Sequence, residues 1–70
     1  MKTLEQLRKE EHELMEKNFG KYDPELCSRI ADLSQAIVIM QGGYCAKSLR
    51  QHWGEDRYID FCMKMEIPAI

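Results

Sequence analysis

The sequence predicts an all-α fold, with a long antiparallel helical hairpin followed by one or two short C-terminal helices. Apolar residues recur at helical spacing through most of the chain. Capping residues stand at two helix starts, and glycine follows each of the first three predicted helices. The length of 70 residues indicates one small domain over 1–70. A domain of this size is only marginally stable by itself.

The first helix is expected from about Leu4 to Phe19. Thr3 followed by Gln6 is a capping-box pattern, in which two side chains bond free N–H groups at the helix start. Gly20 ends the helix, since glycine readily adopts the left-handed C-terminal conformation. The predicted inward stripe contains Leu4, Leu7, Leu14 and either Met15 or Phe19.

Glu11 interrupts this apolar stripe. We expect its side chain to reach solvent, because the stripe is narrow there. The alternative is a buried or interfacial carboxylate that sets the pairing register, with Arg29, Arg50 or His52 as its partner.

The second helix is expected from about Pro24 to Gln41. Asp23 is a favourable N-cap, and Pro24 suits the first helical position because its missing N–H is not needed there. Ile39 extends an otherwise polar row, so the end of the helix is apolar on all sides, which is typical of a central helix or a subunit interface. The apolar seam contains Leu26, Ile30, Leu33, Ile37 and Met40.

The first two helices also carry a family resemblance. A helix, a glycine, Asp23-Pro24-Glu25 and a helix with Leu33-Ser34-Gln35 resembles the small two-helix phosphatases that act on response-regulator aspartyl phosphates in sporulating bacteria. The resemblance covers roughly residues 4–40. That family's signature continues Ser-Gln-Glu-Leu-Asp, whereas Ala-Ile-Val follows Ser34-Gln35 here, about one helical turn too far from Asp23-Pro24. The resemblance therefore implies a helical hairpin without the phosphatase activity.

Gly42-Gly43 separates the second helix from a shorter third helix, expected from about Tyr44 to Trp53 and ended by Gly54. Asp56 is a candidate cap for a fourth segment, which Pro68 closes. The third helix is expected to turn these residues inward: Cys45, Ala46, Leu49 and Trp53.

The fourth segment, residues 57–67, fits two periods. Apolar residues at every second position from Ile59 to Ile67 match a strand. One side of a helix would instead carry Tyr58, Ile59, Phe61, Cys62 and Met65. We favour the helix, because no other segment offers the strand a partner. The alternative is an α+β fold in which a strand at 58–67 pairs with its own copy in a dimer.

Composition narrows the function classes. The formal net charge is −2, so the chain has no general attraction for nucleic acid or anionic lipid. No apolar run is long enough to span a membrane, and the charged N-terminus does not resemble a signal peptide. An odd number of well-separated cysteines argues against a disulfide framework. We therefore expect a cytoplasmic protein.

The residues capable of chemistry do not form a recognisable motif. Cys27, Cys45, Cys62, His12 and His52 lack the close pairing of structural zinc ligands. Cys45 and His52 lie about 10.5 Å apart along one helix, too far for a nucleophile and its base. A helical chain this short also leaves little room for a substrate pocket. We expect no enzyme activity, metal or cofactor.

The leading hypothesis is a non-enzymatic protein–protein interaction module, or a small regulator or inhibitor, that forms homodimers. The central helix carries more apolar surface than short neighbours can cover, and exposed apolar patches usually mark interfaces. Methionine-rich surfaces adapt to different partners. The predicted partner-binding face contains Ile39, Met40, Phe61, Met63 and Met65.

The alternative is a small nucleic-acid-binding regulator that uses the basic and aromatic cluster at 47–57. Lys47, Arg50 and Arg57 would contact phosphates, and Trp53 would stack on a base. A steep loss of binding with rising salt would distinguish this function from an apolar protein interface.

Overall fold

A computed structural model describes residues 1–69 of the chain. The prediction of an all-α fold is confirmed, and these residues contain no strand. No helix in this range is long and apolar enough to cross a bilayer. The helices are α1 (Leu4–Asn18), α2 (Pro24–Gln41), α3 (Gly43–Trp53) and α4 (Glu55–Lys64).

The starts of α1 and α2 follow from local capping, as the sequence predicts. The Thr3 hydroxyl accepts a hydrogen bond from the backbone N–H of Gln6 at 3.2 Å, and the Gln6 side chain accepts one from the Thr3 N–H at 2.8 Å. The Asp23 carboxylate accepts one from the Glu25 N–H at 3.0 Å, and Pro24 occupies the first helical position. These bonds use N–H groups that have no partner within the helix.

The two long helices pack as an antiparallel hairpin. Contacts between them pair residues from opposite ends of each helix. Near the turn, the Asn18 amide donates to Cys27 Sγ at 3.4 Å. Further along, the Ser34 hydroxyl donates to the Glu11 carboxylate.

The core lies along the hairpin and beneath the C-terminal third of the chain. α3 contributes no fully buried side chain, although Leu49 and Trp53 pack against the core from its edge. Cys45, expected to point inward, is exposed. The buried residues are Leu7, Leu33, Ala36, Ile37, Ile39, Tyr58, Cys62, Met65 and Ile67.

Residues 58–64 are helical, so the alternative of a C-terminal strand is wrong. Tyr58, Cys62 and Met65 are each 1% exposed, and they recur at the spacing of one helical face. The alternating apolar residues from Ile59 to Ile67 do not form one buried face, since Met63 is 72% exposed. The helix is favoured because one face of α4 packs against the hairpin. A strand without a partner would leave its backbone N–H and C=O groups unpaired.

The segment before α1 is hydrogen-bonded to the segment after α4. The backbone N–H of Lys2 donates to the carbonyl oxygen of Glu66 at 2.9 Å, and the Lys2 ammonium lies 3.0 Å from the Glu10 carboxylate. Arg29 on α2 donates to the same Glu10 carboxylate at 2.8 Å and contacts Met65 Sδ at 3.5 Å. The segment after α4 is therefore held against both long helices.

Candidate interaction surface

The predicted partner-binding face does not exist as one exposed surface. Ile39 and Met65 are each 1% exposed, so the expectation that they are surplus apolar surface is wrong. Met40 and Phe61 are half-buried and pack against the core. Only Met63 is largely exposed. The reason is tertiary: α4 and the segment after it cover the apolar end of α2 that the sequence alone leaves open.

Three of the seven exposed large hydrophobic side chains among the described residues lie near the connection between α1 and α2. Phe19 is 88% exposed, Tyr22 is 83% exposed, and Met15 on the last turns of α1 is 47% exposed. We call these three residues the hairpin-end surface. A shallow groove beside them is lined by His12, Met15, Glu16 and Phe19.

The geometry at the end of α1 explains why Phe19 is exposed rather than buried. Phe19 is the C-cap of α1 and has extended backbone angles, with φ −64° and ψ 125°. A residue that leaves the helix no longer follows its apolar stripe, so the prediction that Met15 or Phe19 faces inward is wrong. The sequence did hold a signal, since two aromatic residues flank the Gly20-Lys21 turn, where polar residues are usual.

The polar edge of the hairpin-end surface is simple. His12 Nε2 lies 3.1 Å from the Glu16 carboxylate, one helical turn away, and both side chains are mostly exposed. An exposed pair of this kind contributes little to stability. The apolar side chains therefore dominate what this end of the molecule offers to a partner.

The basic and aromatic cluster proposed for nucleic acid is divided by the fold. Lys47 and Arg50 line a cavity between the end of α2, α3 and α4. Trp53 and Arg57 instead border a separate groove, with the Arg57 guanidinium 5.5 Å from the centre of the Trp53 ring. Trp53 also packs edge-on against Phe61, with ring centres 5.0 Å apart. Its ring is thus engaged within the chain.

Arg50 is held in place by two neighbours. Its guanidinium makes a two-pronged contact with the Glu55 carboxylate, with Nε 2.8 Å from an oxygen. The same group lies 4.9 Å from the centre of the Tyr58 ring, a cation–π distance. The hydrogen bond from Arg50 lowers the pKa of the Glu55 carboxyl, and the same bond raises the pKa of Arg50.

Tyr58 and Cys62 form a buried polar pair one turn apart on α4. The Tyr58 hydroxyl donates a hydrogen bond to the Cys62 thiol. Burial raises the pKa of both groups, so both stay protonated near neutral pH. A buried protonated thiol is a poor nucleophile, which fits a packing role for Cys62.

The other cysteine and histidine residues are scattered. Cys45 and His52 line the same shallow groove on α3, whereas Cys27 lies near the hairpin turn and His12 on α1. Within residues 1–69, no three His, Cys, Asp or Glu side chains are grouped to hold a metal ion.

The two adjacent glutamates of α1 both bind side chains of α2. Glu11 is half-buried and accepts from Ser34 rather than reaching solvent. Glu10 binds Arg29 and Lys2, a network that the sequence analysis did not identify. The hydrogen bond from Arg29 is the main cause of a lowered pKa at Glu10; that from Lys2 adds to it, and burial opposes both.

Comparison with known proteins identifies no relative. No family model matches the chain, and no curated protein or solved structure matches it significantly. Its function is therefore inferred from the chemistry and exposure of its own residues.

Proposed function

We propose that this chain is a non-enzymatic protein-interaction module that forms homodimers through its hairpin-end surface. The observation that carries the proposal is the exposure of Phe19 and Tyr22, which are 88% and 83% accessible. Large aromatic side chains supply much of the binding energy at protein interfaces. Exposing two of them close together in the chain is unfavourable unless a second surface covers them.

The total surface of the chain is somewhat larger than expected for a monomer. It exposes 5097 Å², whereas a folded monomer of 8.3 kDa is expected to expose about 4,600 Å². The excess of about 500 Å² is smaller than the roughly 800 Å² that each partner buries in a standard interface. The proposal therefore depends on the exposed aromatic side chains and not on total surface.

Sedimentation velocity over a concentration series tests the proposal. We expect the wild-type chain to shift from monomer to dimer between about 1 μM and 1 mM, the range of weak to moderate association. Phe19→Ala should move this transition to at least about tenfold higher concentration, as for a central interface aromatic. Added salt should leave the transition nearly unchanged, because apolar contacts are not screened.

Tyr44→Ala is the matched control. Tyr44 lies on α3 away from the hairpin end and is 85% exposed, so its loss removes a similar exposed ring. This variant should associate like the wild type. A wild-type chain that stays monomeric at about 1 mM, or an equal effect of both substitutions, would refute the proposed dimer surface.

A further inference from the structure

The groove of the hairpin-end surface runs along one face of the last turns of α1, and its walls are open to solvent. The lining residues are His12, Met15, Glu16 and Phe19, whose spacing places them on one side of the helix. All four are exposed. The groove has a volume of about 410 Å³, so an aromatic side chain can enter it without displacing buried residues.

The chemistry of the groove favours an uncharged aromatic occupant. Its two polar side chains face each other, since His12 Nε2 lies 3.1 Å from the Glu16 carboxylate. The rest of the lining is the thioether of Met15 and the ring of Phe19. A methionine sulfur makes favourable contacts with the edge of an aromatic ring, and two aromatic rings pack well edge-to-face.

The chain carries such a ring directly beside the groove. Phe19 projects from the end of α1, because its backbone leaves the helix in an extended conformation and its side chain is 88% exposed. The ring does not fill its own groove, since it forms one wall of it. A projecting ring next to a groove that fits a ring is self-complementary, which is what a two-fold contact between identical copies requires.

We propose that Phe19 of each copy inserts into the groove of the other copy across a two-fold axis. This inference rests on the homodimer proposed above and assigns the geometry of its contact. A ring at position 19 reaches residues 12–16 of the other chain in both directions only if the two α1 helices run antiparallel. Met15 and Glu16 then lie nearest the axis, and each groove is completed by a residue of the second copy.

The charges around the groove agree with the antiparallel arrangement. In this register Glu16 comes level with Lys17 of the second copy, and Glu13 comes level with its Lys21. Glu13, Lys17 and Lys21 are exposed and make no ion pair within residues 1–69. A parallel arrangement in register would instead set each charge beside its own copy. Exposed pairs of this kind add little affinity, but they disfavour the wrong orientation.

A mixing experiment tests the exchange of rings. Phe19→Ala removes the ring, and Met15→Glu places in the groove a charge that an entering ring would desolvate. Each variant alone should dimerise only at concentrations at least about tenfold above those of the wild type. An equal mixture should associate about fivefold more tightly than either variant alone, beyond the statistical preference for mixed pairs. In the mixed pair, Phe19 of the Met15→Glu chain enters a groove that keeps three of its four lining residues.

Sedimentation velocity of the full-length chains at equal total concentration measures this gain. Gln51→Glu, which adds the same charge on the exposed face of α3, is the control and should dimerise like the wild type. His12→Glu places the charge in the groove on a side chain that is 75% exposed. It therefore keeps the test decisive if Met15→Glu does not fold.

The outcomes separate the ring exchange from the dimer itself. If the wild type dimerises and Phe19→Ala weakens the dimer, but the mixture gains nothing, the dimer stands and the ring exchange is overturned. A Gln51→Glu chain that loses as much association as Met15→Glu would overturn the assignment of the groove. A wild-type chain that stays monomeric at about 1 mM overturns both the ring exchange and the proposed function.

Discussion

Glu66 shows how a single residue carries conformational strain in this chain. Its backbone φ is 59°, the only positive value at a non-glycine position among residues 1–69. The N–H of Ile67 bonds to the carbonyl of Cys62 at 3.0 Å, and that of Glu66 to Met63 at 3.2 Å. These bonds define a Schellman motif at the end of α4, whose left-handed position usually holds glycine.

Glu66→Gly is therefore expected to stabilise the fold, by about 0.5–1 kcal/mol. Glycine adopts the left-handed conformation without the Cβ clash, and this gain exceeds its extra entropy in the unfolded chain. The lost ion pair with Lys2 is long, at 3.6 Å, and Glu66 is exposed there, so it contributes little. The shift in the urea unfolding midpoint measures the effect.

Glu66→Ala is the control for this substitution. It removes the carboxylate but keeps a Cβ at the left-handed position, so its stability should stay close to that of the wild type. If alanine stabilised the chain as much as glycine does, the carboxylate rather than the backbone would be the source of strain.

At the scale of elements, the connection between α2 and α3 depends on the backbone of Gly42. This residue caps the end of α2 and the start of α3, with φ 74° and ψ −161°. L-amino acids essentially never adopt this combination. The two helices can follow each other without a longer loop only because the position between them is glycine.

Gly42→Ala should destabilise the chain by about 1–3 kcal/mol through backbone strain alone, because no atom lies within 4 Å of the added Cβ. D-alanine at the same position, introduced by chemical synthesis, is the matched control. The observed angles are the mirror image of a common extended conformation, so the D-residue fits them. Thermal unfolding of both chains measures the difference, and equal destabilisation would mean that the cost is not set by backbone handedness.

At the scale of the whole molecule, one ionic network ties the chain ends to the hairpin. Glu10 on α1 accepts from Arg29 on α2 at 2.8 Å and from Lys2 at 3.0 Å. Lys2 in turn holds the backbone of Glu66 beyond α4. The network is about two-thirds shielded from solvent, since the side chains of Glu10 and Arg29 are 32% and 35% exposed.

Glu10 should make stability depend on acid pH. Its pKa is lowered in the folded state, mainly by the Arg29 hydrogen bond. The carboxylate therefore stabilises the fold above its unfolded pKa, and this contribution is lost as pH falls through the folded pKa. Glu10→Gln is expected to cost about 1 kcal/mol at about pH 7, after allowance for solvent screening, and much less near pH 3.

Urea unfolding at both pH values measures this effect, with Glu13→Gln as the control. Glu13 is an exposed carboxylate on the same helix, and its substitution should change stability little at either pH. A loss at Glu10 that stays constant with pH would show that the network contributes through packing rather than through charge.

The sequence by itself determined where α1 and α2 begin and where α1, α2 and α3 end. Capping at Thr3 and Asp23, and the glycines after α1, α2 and α3, act within one or two turns, so neighbouring residues suffice to read them. The prediction of Asp56 as the cap of the fourth helix was wrong, since α4 begins directly after Gly54. The spacing of apolar residues alone did not decide whether residues 57–67 form a helix or a strand. It also did not identify the Glu10–Arg29 pair or the groove beside Phe19.

Tertiary structure decided which apolar residues are hidden. Ile39 and Met65 are covered by parts of the chain distant in sequence, while Phe19 and Tyr22 stay exposed at the hairpin end. Helix formation is governed by contacts between residues three or four apart. The burial of a side chain depends instead on which segment, distant in the sequence, packs against it. For this reason the fold class was predictable from the residues in order, and the exposed surface and its groove required the packed molecule.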